Sequence, residues 1–176
     1  MLGWDITDFG GGSFPERGLL LFTLRNGDGS ATGKPYAEKI MIVQENQETP
    51  FHFHWNKMED IINRGGGNLQ LELYPADEND GLGKGDLEIS IDGIRQSVPA
   101  GSPVTLHPGE SITLNPRVYH RFFGESGLGP VLTGEVSMVN DDDTDNRFLD
   151  PLGRFPEIIE DEPPLYLLAQ DYRRYI

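Results

Sequence analysis

The chain has 176 residues, of which 36% are hydrophobic, with 22 glycines and 13 prolines. That is room for one domain with its own core, and the turn-forming excess favours β-structure over a helical bundle. Lys and Arg number 14 against 29 Asp and Glu, a net charge of −15 that makes nucleic acid and anionic membranes unsuitable partners; with no cysteine present, disulfides, thiolate zinc sites and a cysteine nucleophile are excluded.

The start, MLGWDITDFGGG, has neither a basic n-region nor an apolar h-region and does not read as a secretory signal. No apolar run approaches the ~20 residues of a membrane-spanning helix, so a cytoplasmic protein is the expectation. Residues 1–35 mix short apolar runs such as GLLLFTL with turn signals, and RNGDG reads as a tight turn between strands. YAEKIMIVQ is a β-branched, apolar run that predicts a buried strand, ended by the polar turn ENQETP. GNLQLELYP alternates cleanly, with Leu69, Leu71 and Leu73 on one face. An acidic, glycine-rich loop follows, and then LEISIDGIRQSV predicts a hairpin turning at Asp92-Gly93. AGSPVTLHPGESITLNPRVYHRFFG predicts two further short strands, and PVLTGEVSMV one more. Beyond residue 140 the chain turns polar (NDDDTDNRF), then acidic and proline-broken (FPEIIEDEPP), and ends in LYLLAQDYRRY, a short helix or strand. Short strands spaced by turns predict an all-β sandwich or small barrel. With no repeat and no long linker, residues 1–176 read as one domain: N-terminal strands over 1–35, a barrel core over 36–140 and a tail over 141–176.

The chemistry concentrates in TPFHFHWNKMEDIINRGGG, residues 49–67. His52 and His54, two residues apart, leave the same face of a strand. Glu59 follows after a stretch long enough to turn back beside them. The pair alone is weak, since histidines on strand faces are often merely solvated. A distant partner strengthens it: His120 follows a turn marked by Gly109 and Pro116, whereas His107 in LHPGE has the setting of an ordinary surface histidine. Together these features resemble both halves of the cupin pattern, H-x-H-x4-E followed by glycine, then a proline turn closing on histidine. The second half departs from it, because RVY separates Pro116 from His120 where a glycine is usual. Three imidazoles and a carboxylate make a mixed nitrogen and oxygen donor set suited to Mn²⁺, Fe²⁺, Ni²⁺ or Zn²⁺, with two coordination positions left for a bidentate hydroxy-carbonyl ligand.

The resemblance extends further. GWDITDFG, LFTLRNG, YAEKIMIV, FHFHWNKMEDIINRGGG, GESITLNPRVYHRF, GEVSMVNDDDTDNRF and RFPEIIEDEPPL are similar, in that order, to segments of the D-lyxose isomerase family. The resemblance implies a cupin-type double-stranded β-helix, a jelly-roll barrel with short peripheral helices. It also implies Mn²⁺ as cofactor, a monosaccharide substrate, a homodimer, and isomerisation of D-lyxose to D-xylulose, often with D-mannose to D-fructose. Relatives often carry a helical segment before GWD, which this sequence does not show.

Such a reaction moves a proton between C2 and C1 through an enediol and needs a base and an acid beside the metal. Lys57, lying between the ligands in sequence, is the first candidate; its bland reading is an ordinary exposed lysine. Glu135 is the second. In VLTGEVSMV the polar Thr133, Glu135 and Ser137 alternate with Leu132, Val136 and Met138, and in a barrel with a polar site Glu135 can point inward, across the pocket from Lys57. Asp145 and Arg147 are candidates for sugar hydroxyls and Trp55 for a stacking wall; surface decoration is the bland reading of each. Arg64 in NRGGG fits a role bracing the turn, and the stretch lacks the residues of a phosphate loop. A non-catalytic sugar-binding sensor is the main rival reading. A cupin dioxygenase is disfavoured by the polar alternation around Glu135, and a phosphosugar isomerase by the lack of a basic cluster.

Overall fold

The computed structural model describes residues 2–30, 32–139, 141, 144–153, 156 and 161–175. Among these, the strands are β1 (Gly3–Thr7), β2 (Leu19–Arg25), β3 (Tyr36–Val43), β4 (His52–His54), β5 (Glu59–Gly66), β6 (Leu69–Pro75), β7 (Asp86–Ile91), β8 (Ile94–Pro99), β9 (Pro103–Leu106), β10 (Ser111–Leu114), β11 (Val118–Gly124), β12 (Val131–Met138) and β13 (Asn146–Phe148). They form an eight-stranded sheet, β1-β2-β3-β12-β5-β10-β7-β8, facing a five-stranded one, β13-β4-β11-β6-β9. Every pairing between these strands is antiparallel. The architecture is the all-β, jelly-roll barrel of the cupin type that the motifs imply. The short peripheral helices expected with it reduce, among the described residues, to one turn, α1 (Tyr172–Tyr175).

The alternating strands bury the residues their pattern dictates. Leu69, Leu71 and Leu73 of β6 are sealed inside, as are Leu19 and Leu21 of β2 and Met41 and Val43 of β3. They pack with Ile61, Leu106, Ile112, Leu114 and Phe122 in one apolar core between the sheets. The Asp92-Gly93 turn has positive φ at both residues (49° and 81°), the geometry that lets a two-residue hairpin follow strand twist.

One expectation needs revision. The segment from 100 to 124 holds three strands, not two, because β9 and β10 are separate four-residue pieces on opposite sheets. The tail contributes β13, which pairs with β4 and places Asn146 opposite His54 and Phe148 opposite His52. The acidic stretch FPEIIEDEPP lies largely outside the described residues. Most informative is β12, whose alternation runs opposite to the ordinary rule. Thr133, Glu135 and Ser137 are buried while Leu132 and Met138 are exposed, so the strand turns its polar face into the barrel.

Candidate active site

The cavity inside the barrel is lined by His52, His54, Lys57, Glu59, His120 and Glu135, together with Lys39, Asn146 and an apolar wall that includes Phe9, Leu21, Met41 and Phe148. Six of the nine residues singled out from sequence therefore meet in one place. Each arrives for a local reason. His52 and His54 share the inner face of β4, and β11 pairs with β4 in a register that sets His120 directly opposite His52. Glu59 opens β5, the strand reached after the Trp55–Met58 turn.

That turn is fixed by Asp145. Its carboxylate accepts hydrogen bonds from the backbone N–H of Asn56 (3.0 Å) and of Lys57 (3.2 Å), and from the Asn56 side chain (3.1 Å). The Asp145 carboxylate is therefore engaged with the peptide that presents Lys57 and does not line the cavity. Trp55 and Arg147 also lie outside the lining. Trp55 is partly exposed, edge-on to Phe53 and beneath the Arg117 guanidinium, and Arg147 donates to the carbonyl of Phe148.

The departure at RVY is accommodated without a glycine. Arg117 itself adopts φ +62°, the left-handed conformation. Its N–H donates to the carbonyl of His54 (2.9 Å), and its Nη2 donates to Asp77 O (3.0 Å) and Asp80 Oδ1 (2.9 Å). The turn thus ties the His54 strand to the loop after β6.

The three imidazoles offer nitrogen atoms that lie within 4.8 Å of one another. Nδ1 of His52 is 2.9 Å from Pro50 O and Nδ1 of His120 is 3.0 Å from Val118 O. A carbonyl only accepts, so each ring keeps its proton on Nδ1 and turns the Nε2 lone pair toward the cavity. Enclosure holds the His52 imidazole well below its usual range, reinforced by the neighbouring His120 and His54, and enclosure likewise lowers His54. Glu59 Oε1 lies 3.1 Å from His120 Nε2 and 3.4 Å from His54 Nε2, yet it is buried without a hydrogen-bond partner. Burial alone would raise the Glu59 carboxyl, but Lys57 and His54 hold it well below the carboxylate range. Convergent lone pairs beside an unpartnered, buried carboxylate oxygen are a donor set that fits a divalent cation.

Beside this cluster stands a second one. Lys57 Nζ is 2.7 Å from Glu59 Oε2 and 3.1 Å from Glu135 Oε1, so Glu135 lies next to Lys57 rather than across the pocket. Glu135 Oε1 also accepts from Ser137 Oγ (2.8 Å) and lies 3.3 Å from Lys39 Nζ. All four charged side chains, of Lys39, Lys57, Glu59 and Glu135, are almost fully enclosed. Burial pushes the Glu135 carboxyl up, yet Lys39 and then Lys57 outweigh it, and the group settles at about 2. Lys39 is the residue that sequence reasoning missed. Its signal was present: in β3 it falls on the same inward face as Ala37, Met41 and Val43, and it is paired in register with Glu135. Phe9 also went unmarked. It is buried at φ +56°, with its ring 5.9 Å from that of Phe148, which in turn packs 5.5 Å from the His52 ring.

Similarity to known proteins extends over nearly the whole chain. The family described as D-lyxose isomerase matches residues 1–172. A D-lyxose/D-mannose isomerase of Serratia proteamaculans is 59% identical over 99% of this chain and 78% of its own length. A protein of the same name from Escherichia coli O157:H7 is 57% identical with the same coverages. Among solved structures, L-ribose isomerase of Cellulomonas parahominis with L-psicose superposes with a TM-score of 0.58 at 17% identity, covering 77% of this chain and 70% of that one. L-ribose isomerase of Geodermatophilus obscurus gives 0.58 at 19% identity with the same coverages. These two likenesses are of fold.

Proposed function

The chain belongs to the D-lyxose isomerase family and is a sugar isomerase, and we propose that it interconverts D-lyxose and D-xylulose, and also D-mannose and D-fructose, using a divalent ion. The observation that carries this reading is the adjacency of two buried clusters: the imidazoles with Glu59, and Lys57 with Glu135 and Lys39. His52, His54, Glu59 and His120 would hold the ion, and the mixed donor set suits Mn²⁺. A bound divalent ion supplies Lewis-acid polarisation of the sugar carbonyl and stabilises a developing enediolate.

The chain's own residues do the rest. The Glu135 carboxylate, kept anionic by two ammonium groups, is the base that takes the C2 proton and returns it at C1. Lys57 Nζ, within reach of both carboxylates, hands a proton to and from the sugar oxygens. Lys39, whose Nζ approaches the same Glu135 oxygen as Lys57, fixes the orientation and charge of Glu135. The apolar wall of Phe9, Leu21 and Phe148 excludes water from the cavity. Among the described residues, the lysines that line the cavity, Lys39 and Lys57, are committed to carboxylates and no basic cluster there suits a phosphate, so the substrate is a free sugar. We further propose a cytoplasmic protein without nucleic-acid or membrane partners, in keeping with the −15 charge. Among the described residues no helix is long and apolar enough to cross a membrane.

The test is a sugar panel followed by NMR in deuterated solvent, with metal-stripped protein reloaded one ion at a time. Lys57→Met and Glu135→Gln should retain the metal, lower kcat by ~10²–10⁴-fold for at least one of them, and slow C2 proton exchange in parallel. Full activity in both variants would move the proton transfer to other residues. A higher kcat/KM for the sugar phosphate would overturn the free-sugar assignment. Sugar binding by the wild type without any proton exchange would favour the sensor reading.

A further inference from the structure

Of the three imidazoles in the barrel, two have their outer nitrogen settled by the backbone and one does not. His52 and His120 each hold Nδ1 against a carbonyl two residues back, Pro50 O and Val118 O. His54 Nδ1 has no hydrogen-bond partner among the described residues, although the ring is buried. What faces it is Oδ2 of Asp145, at 4.0 Å. That separation is too long for a hydrogen bond. It is an electrostatic contact between two enclosed groups, little screened by water.

The backbone holds the carboxylate in this place. Asp145 stands immediately before β13, whose first residue, Asn146, is paired with His54. Its carbonyl accepts from the N–H of Trp55 at 3.2 Å, and its own N–H donates to Asp141 O at 2.9 Å. The two oxygens serve different neighbours. Oδ1 takes both bonds from Asn56, while Oδ2 takes the N–H of Lys57 and faces His54 Nδ1. A single accepting oxygen, of Asn or Ser, is enough to close an ordinary turn. Here both oxygens face donors, and an amide in this position would turn its NH₂ toward one pair or the other.

The chemical consequence falls on His54. Its Nε2 lies 3.4 Å from Glu59 Oε1 on the cavity side. Glu59 by itself favours a ring proton on Nε2, where it would block ligation. A negative charge behind Nδ1 favours the opposite tautomer, which leaves the Nε2 lone pair free.

We propose that Asp145 is a positioning residue of the ion site, an inference that rests on the reading of His54 as a ligand. Its carboxylate keeps the His54 ring proton on Nδ1, and the same oxygen fixes the peptide of Lys57. One side chain outside the cavity thereby sets both a ligand and the lysine that moves protons, in place of the contact to sugar hydroxyls expected of residue 145 from sequence.

Zn²⁺, which is diamagnetic, is the probe. Competition of the full-length chain with a chromophoric chelator gives its affinity, and ¹⁵N NMR of the zinc-loaded chain reads the three imidazoles separately. Asp145→Asn should bind Zn²⁺ about 10–100-fold more weakly than the wild type. It should shift the ring nitrogens of His54 and leave those of His52 and His120, which rest on carbonyls, in place. Asp145→Ser is the second variant should the first not fold. Its hydroxyl can still accept from the turn but puts no charge behind His54, so it should weaken binding alike. Asp150→Asn removes the same charge from an exposed position in the tail and should bind Zn²⁺ as the wild type does. Unchanged zinc affinity in the folded Asp145 variants, an equal loss in Asp150→Asn, or shifts shared by all three rings would each overturn the role of Asp145 while leaving the ion site standing. A wild type that binds no Zn²⁺ would overturn the ion site itself, and this role with it.

Discussion

Glu135 shows how far a single side chain can be driven from its ordinary chemistry by what encloses it. Burial in the barrel opposes its ionisation, but Lys39 and Lys57, both within hydrogen-bonding or ion-pairing reach of Oε1, outweigh burial and hold the carboxyl at about 2. A carboxyl with a depressed folded value contributes stability that is complete above its unfolded value and is lost as pH falls through the folded one. For Glu135 that window runs from about 4.5 down to about 2. Glu135→Gln deletes the contribution and leaves two enclosed ammonium groups short of a counter-charge, so at neutral pH the variant should be less stable by a few kcal/mol. The gap between wild type and variant, measured by urea unfolding with chelator present, should narrow steadily as pH falls from about 4.5 toward about 2. A gap that stays constant across that range would mean that the two lysines do not depress the carboxyl. At the same scale, the convergence of His52 and His54 was legible in the sequence because i,i+2 spacing fixes two imidazoles on one strand face whatever the surrounding fold. Lys39 was not, because a lysine within an apolar run reads equally well as a charge reaching for solvent. Only the β3–β12 register, joining residues far apart in the chain, shows that it meets Glu135 instead.

At the level of elements, periodicity told which residues share a face and not which face is inside. In β6 and β3 the apolar set is inward, as the usual rule has it. In β12 the same alternation is inverted, because Glu135 meets Lys39, Lys57 and the Ser137 hydroxyl on the inner side while Leu132 and Met138 are exposed on the outer one. A period-2 pattern is symmetric under exchange of its faces, so sequence alone could not choose. β4 and β13, three residues each, are too short for any pattern and are held by their partners. The turn before β11 gives an element-scale prediction. Arg117 occupies a left-handed conformation that costs a non-glycine residue ~1 kcal/mol or more. It recovers part of this through its partly exposed pair with Asp80 and its position 5.3 Å and 5.4 Å from the Phe53 and Trp55 ring centroids, contacts worth ~0.5–1 kcal/mol each at such exposure. Arg117→Gly removes strain and contacts together, so global stability by urea unfolding should change by no more than ~1 kcal/mol. The loop at 76–82 loses both bonds from Nη2 and should become the first site of limited proteolysis. Loss of more than ~3 kcal/mol would show that the guanidinium anchors the barrel and not merely the loop.

At the level of the whole molecule, composition told the sign and size of the charge but not where it is neutralised. Strand pairing brings Glu38 to Arg25 and Arg64, and the fold brings Glu48 to Arg17 and Arg121. The remaining excess of acid repels itself across the surface of the folded chain. That repulsion acts over the ~10 Å Debye length of 0.1 M salt and shrinks with the ~3 Å length at 1 M. Screening also weakens the exposed ion pairs, but each contributes only ~0–1 kcal/mol, less than the relief of the general repulsion on a chain of −15. Stability should therefore rise between ~0.01 M and ~1 M sodium chloride, by ~1 kcal/mol or more. Urea unfolding of the wild-type chain at neutral pH across that range measures it. A stability that falls with salt would mean that the ion pairs, and not the net charge, govern the electrostatics of the folded chain.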